Sequence, residues 1–136
     1  MTFNLSARSL AKMEGVDPRL VRVVKRAVLI TPIDFLITCG VRTPAEQAIL
    51  YAQGRTKPGN IVTYNRVSNH FVKPDGYGHA VDLVPFPVDW EGPVKFPKFE
   101  AIAAAMKEAA RLEGVKIQWG GDWSKFRDRP HFELAR

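Results

Sequence analysis

Two short stretches of the chain hold all three of its histidines. One is Ser68-Asn69-His70 running on to Gly78-His79-Ala80-Val81-Asp82, and the other is Asp128-Arg129-Pro130-His131-Phe132-Glu133-Leu134. Two imidazoles, one carboxylate ligand and one spare carboxylate are the parts of a zinc hydrolase site, which keeps a fourth position open for water. His79 and Asp82 are three residues apart in a predicted strand, so regular alternation turns them to opposite faces and makes them a poor pair of ligands for one metal. His70 precedes a Gly/Pro-containing loop that leaves it free to turn back toward Asp82, and His131 comes from a later strand. Taken singly, each histidine reads as an ordinary surface or hydrogen-bonded residue.

The elements that must position these groups follow from local signals. Ser6 to Met13 reads as a short helix. Asp17 offers an N-cap with Pro18 at the first helical position, and Leu20, Val23, Val24, Ala27 and Val28 follow at helical spacing, which predicts a helix over 18–30. Asp34 to Cys39 reads as a buried strand ending at Gly40. Thr43-Pro44-Ala45-Glu46 is a capping box that starts a helix running to about Gln53, with Gly54 as its stop. Residues 54–78 read as a long irregular loop, and a loop of this length in a compact chain is usually functional or mobile. His79 to Val84 reads as a strand, the proline- and glycine-containing stretch 85–97 as a stiff loop, and Lys98 to Glu113 as a helix with Gly114 as its stop. Strands over Val115–Trp119 and His131–Leu134 complete the chain. Without regular alternation of strand and helix, the expected class is α+β with a small antiparallel sheet flanked by helices.

The bulk properties narrow the partners. One domain over residues 1–136 is the expected organisation. Apolar residues make up 46% of the chain and charged residues 25%, as in an ordinary globular protein. Lys and Arg outnumber Asp and Glu 20 to 14, leaving a net charge of +6, which suits an anionic partner or serves solubility alone. The basic residues are scattered, which weakens the case for nucleic acid. Cys39, the only cysteine, excludes an intramolecular disulfide, and its apolar run Phe35-Leu36-Ile37-Thr38-Cys39 marks it as inert packing. The first residues show no apolar signal segment and no stretch reaches membrane-spanning length, so synthesis in a cytoplasm with no anchor is expected.

The flanks of the histidines carry a resemblance. Ser68-x-His70, then Gly78-x-Ala80-x-Asp82-Leu83, then Asp128-x-Pro130-His131-x-Glu133-Leu134 resemble the zinc D-Ala-D-Ala metallopeptidase family, which shares the hedgehog/DD-peptidase fold. Gly40-Val41-Arg42-Thr43, the helix with Gln47, Leu50, Tyr51 and Gly54, and Trp119-Gly120-Gly121-Asp122-Trp123 match the family's other blocks. The likeness spans Asp34 to Leu134 and looks nearest to phage endolysins of the L-alanyl-D-glutamate peptidase type. The resemblance implies Zn2+ held by His70, Asp82 and His131, with Asp128 as general base and Arg42 facing the scissile carbonyl or the developing oxyanion. The interval from His70 to Asp82 is longer than the family's commonest one, with Asp75-Gly76 as the added tip. His79 is the alternative ligand if His70 swings away.

These roles imply a peptidoglycan endopeptidase cutting the stem peptide at the L-Ala–D-Glu bond, a monomer made in a phage-infected cytoplasm and acting on the wall after membrane breach. No nucleic acid and no integral membrane segment are expected. The same centre would also serve a D-Ala-D-Ala carboxypeptidase or dipeptidase. Different classes are a non-catalytic zinc-binding interaction domain and a basic nucleic-acid-binding protein or nuclease. For Asp128 the plain alternative is a loop carboxylate paired with Arg127 or Arg129, for Arg42 a surface arginine, and for Glu133 an edge charge rather than a partner of His131. Trp119, Trp123 and Phe126 are candidates for the cleft wall or for the core.

Overall fold

A computed structural model describes residues 2–59, 61, 68–91, 95–125 and 127–135. The order is α1 (Ala7–Lys12), α2 (Pro18–Ile30), β1 (Phe35–Cys39), α3 (Pro44–Ala52), β2 (Ala80–Pro85), α4 (Pro97–Glu113), β3 (Ile117–Trp119), a 3-10 turn (Gly120–Asp122) and β4 (His131–Leu134). The caps read from the sequence set the helix starts. Asp17 Oδ1 accepts from the Arg19 amide at 2.9 Å ahead of α2. Thr43 and Glu46 cap each other's backbone ahead of α3. Gly114 closes α4 in the left-handed conformation, φ 67°. The Val115 amide turns back to the Ala110 carbonyl as part of that closure, so β3 begins at Ile117 rather than Val115.

The four strands form one sheet in the order β1-β2-β4-β3, and every neighbouring pair is antiparallel, as the α+β reading expects. Helices α2 and α4 pack together and join one face of the sheet in a common core with Val81, Leu83, Phe132 and Leu134. Burying each such side chain is worth roughly 1.5–3 kcal/mol. A one-residue slip of β2 or β4 would exchange those residues with their neighbours, so burial pins the register. Alternation then sends Asp82, His131 and Glu133 to the opposite face. Asp82 lies directly opposite His131 on β4 and Cys39 on β1.

Candidate metal and catalytic site

The structure brings His70, Asp82, His131, Arg42 and Asp128 to one cleft of about 640 Å³. His70 is 2% exposed and fixed on three sides. Its amide donates to Ser68 Oγ at 3.0 Å, its carbonyl accepts from the Arg42 amide at 2.9 Å, and its Nδ1 lies 2.7 Å from the Gly40 carbonyl. A carbonyl only accepts, so Nδ1 carries the proton and Nε2 is left to face Asp82 Oδ1 at 3.3 Å. His131 is the mirror case. Its Nε2 donates to Glu133 Oε1 at 2.7 Å, which leaves Nδ1 facing Asp82 Oδ1, again at 3.3 Å. Glu133 is held in turn by the Asn69 amide at 2.7 Å.

Asp82 Oδ1 is therefore a buried oxygen between two imidazole nitrogens with no hydrogen bond of its own. Such an orphan is unusual enough to need a reason, and a cation is the natural one. Among the described residues three groups have ligand atoms within 4.8 Å of one another: Cys39 with His70 and Asp82, Asp82 with Asp128 and His131, and, away from this cleft, Asp17 with Asp75 and His79; Asp82 is common to the first two, while His70, Asp82 and His131 do not form one such group by themselves. The 3.3 Å spacing from Asp82 to each histidine is close to the roughly 3.3 Å edge of a tetrahedron with bonds of ~2.0–2.1 Å. Imidazole and carboxylate donors suit zinc and its neighbours.

The electrostatics express the same compression. Burial alone would lower His70 and His131, but the Asp82 carboxylate between them outweighs it and pushes them up to about 10 and about 9. Burial would raise Asp82, yet His131 and His70 hold it well below the usual carboxylate range. Asp128 is open to the cleft, but partial desolvation by the cleft walls and the negative charge of Asp82 raise its carboxyl above the ordinary value.

Asp128 is set by the segment before it. Its amide donates to the Gly120 carbonyl at 3.0 Å, and Gly120 lies so close that a Cβ there would meet the Asp128 carbonyl oxygen at 2.2 Å. The Trp119 indole donates to the Arg129 carbonyl at 2.7 Å. Neither neighbouring arginine pairs with Asp128: Arg127 Nε donates to the Trp123 carbonyl, and the Arg129 guanidinium lies 3.5 Å from the Phe96 ring centroid. Arg42 is oriented by Gln47, whose Oε1 accepts from its guanidinium at 2.8 Å, and its other terminal nitrogen is 3.7 Å from Asp82 Oδ2.

His79 lies elsewhere, 2.6 Å from Asp75 and 3.9 Å from Asp17, whose carboxylate is paired with Arg19 at 2.9 Å. The long interval between His70 and Asp82 is a closed turn. Lys73 donates to Tyr77 and Gly76 to Lys73, while Gly78 is tied to Gly15 and Asp17 and the His79 amide to Asn69. The added residues project outward and leave His70 in place. The part of the 54–78 loop at residue 60 and residues 62–67 lies outside the described residues, as does Phe126.

One sequence expectation needs correction, and one open alternative is decided. Cys39 is not core packing. The register shifts between Ile37 and Cys39, and this bulge at Thr38 brings Cys39 opposite Asp82. Its sulfur is 3.8 Å from His70 Nδ1 and accepts from Arg42 at 3.4 Å. Burial would raise the thiol, but His70 and Arg42 hold it down. Trp119 belongs to the core, stacked on Phe132, whereas Trp123 lines the cleft 5.2 Å from the His131 ring. The cleft also has a wall that the sequence did not mark, Trp90.

A sheet face with two oriented imidazoles about a carboxylate, a separate carboxylate and a held guanidinium is equipped for metal-assisted hydrolysis. The chain belongs to the phage L-alanyl-D-glutamate peptidase family, whose model matches residues 1–135. It is 37% identical over 121 residues to the peptidoglycan L-alanyl-D-glutamate endopeptidase CwlK of Bacillus subtilis, covering 82% of this chain and 66% of that protein. It is 30% identical to the L-alanyl-D-glutamate peptidase of Escherichia phage T5, covering 100% of this chain and 92% of the relative. The crystal structure of the Serratia marcescens L-Ala D-Glu endopeptidase ChiX superimposes with a TM-score of 0.80 at 33% identity, over 98% of this chain and 90% of that one.

Proposed function

We propose that this protein is a zinc-dependent endopeptidase that cuts the L-Ala–D-Glu bond of the peptidoglycan stem peptide. Family membership supports the substrate, and one observation supports the metal: the orphaned Asp82 Oδ1 between two imidazoles whose outer nitrogens are already committed. In this reading His70 Nε2, Asp82 and His131 Nδ1 hold the ion. Zinc there would supply hydroxide at neutral pH by drawing the pKa of water from ~15.7 toward ~7.

The protein's own groups complete the chemistry. Asp128 takes the proton of the attacking water and returns it to the departing D-Glu amine. Its raised pKa brings it closer to the working pH for that exchange. Arg42, with its guanidinium aimed by Gln47, binds the carbonyl oxygen as charge develops on it. Gly40 and Glu133 keep the imidazoles in the tautomers that present a free nitrogen to the ion.

The chain is proposed to act as a monomer on the wall, reached after the membrane is breached, in a phage lysis role. Its net charge of +6 favours approach to an anionic wall. Among the described residues no helix is long and apolar enough to cross a membrane. The reading is tested by the clearing of purified peptidoglycan before and after chelation. Loss of activity restored by zinc is expected, and activity indifferent to chelation would remove the metal from the mechanism.

A further inference from the structure

The nitrogen that His131 turns toward Asp82 is decided by the one it gives to Glu133. That decision is only as firm as Glu133 itself. Its side chain is long, and it shares the cleft side of β4 with His131, so it must fold back along the strand to reach the ring. A carboxylate held at one oxygen can still swing away. Here the second oxygen is held as well. Oε2 accepts from Asn69 Nδ2 at 2.7 Å while Oε1 accepts from His131 Nε2 at 2.7 Å. An ionised carboxylate only accepts, so the Asn69 amide must present its nitrogen there.

Asn69 is placed by backbone bonds that need no ion. It lies in the turn that carries His70, where the Phe71 amide donates to the Ser68 carbonyl at 3.1 Å and the His70 amide to Ser68 Oγ at 3.0 Å. The Asn69 carbonyl accepts from the His79 amide at 2.8 Å, and the His79 carbonyl accepts from the Leu134 amide at 2.9 Å. His79 leads into β2, which carries Asp82, and Leu134 ends β4, which carries His131. The three segments bearing the candidate ligands therefore meet beside Asn69, and its side chain ties two of them across 64 residues of sequence.

We propose that Asn69 is a positioning residue for the metal site: by holding Glu133 it keeps the His131 imidazole in the orientation and tautomer that bind the ion. It acts through Glu133 and is not itself a ligand. The place requires a short neutral donor. An aspartate would set a second carboxylate against Glu133, and like charges at contact repel. This deepens the zinc reading of the site and rests on it.

The test is a double-mutant cycle read in zinc affinity, by chelator competition, with circular dichroism on each protein. Asn69→Ala is expected to weaken zinc binding by about tenfold, the lower end of what the outer partners of a ligand contribute. In a Glu133→Ala background the same substitution should cost less than twofold, because nothing is left for Asn69 to hold. Equal losses in both backgrounds would show that Asn69 does not act through Glu133 and would overturn the proposal. So would unchanged zinc affinity with a raised KM, which would make Asn69 a substrate contact. The exchange pair Asn69→Asp with Glu133→Gln keeps both side chains at their size and restores the contact with donor and acceptor reversed. It covers the case in which Asn69→Ala does not fold. The pair should bind zinc at least as tightly as Glu133→Gln alone, and a further loss of more than twofold would equally overturn the proposal. If the wild type binds no zinc, the metal reading itself fails, a result distinct from a zinc-binding protein indifferent to Asn69.

Discussion

Glu133 Oε1 accepts a 2.7 Å hydrogen bond from His131 Nε2, the nitrogen turned away from Asp82. The contact fixes which imidazole nitrogen faces the proposed ion, and partners of this kind typically contribute 10–100-fold in metal affinity. Glu133→Gln is expected to weaken zinc binding by about that factor while leaving the fold intact, as read by zinc titration beside circular dichroism. Unaltered affinity would show that the pair is only an edge contact.

Asp128 is expected to serve proton transfer and not metal retention. Asp128→Ala should keep its zinc and lose activity by about 10²–10⁴-fold, the usual worth of a positioned acid–base group. Metal content and turnover measured on the same preparation separate the two roles. A variant that still hydrolyses at the wild-type rate would remove Asp128 from the mechanism.

Gly120 makes room for that residue, since a Cβ there would stand 2.2 Å from the Asp128 carbonyl oxygen. The same carbonyl accepts from the His131 amide at 3.2 Å, so a shift would reach both groups. Gly120→Ala should lower kcat about 100-fold, as small misplacements of catalytic groups do, with a smaller effect on KM. Wild-type kcat in a folded Gly120→Ala protein would show that the close approach is not needed for activity.

Much of this arrangement was legible because it is local. Asp17-Pro18 and Thr43-Pro44-Ala45-Glu46 announce their helices through backbone donors that need caps. The alternation of Val81, Asp82 and Leu83 separates the core face from the site face without reference to other strands. What stayed hidden depends on pairing between distant segments. The bulge that turns Cys39 toward Asp82 is a mismatch between β1 and β2, and nothing in Phe35-Leu36-Ile37-Thr38-Cys39 signals it. Trp90 reaches the cleft only because Glu91, Lys98 and Phe99 seat its loop against α4. The long interval after His70 looked free in sequence, yet Gly15 and Asp17, more than fifty residues earlier, tie it down.

Asp17 links that anchoring to pH. The Arg19 guanidinium holds its carboxyl below the ordinary value against the opposing effect of burial. A group depressed in the folded state stabilises the fold above its unfolded pKa of about 3.9, and this is lost as pH falls through the folded value. Asp17→Ala should therefore cost about 1 kcal/mol at neutral pH through loss of the α2 cap. In denaturant melts the gap from wild type should hold from pH 6 to 8 and narrow below about pH 4. A gap that stays constant into strong acid would contradict the ionic part of this account.

The most direct measurement is the identity of the peptides released from purified peptidoglycan, with chelator and with zinc restored. Peptides bearing a new amino-terminal D-glutamate, absent under chelation and recovered with zinc, are the predicted result. Release of terminal alanine alone, or the same products in the presence of chelator, would contradict it.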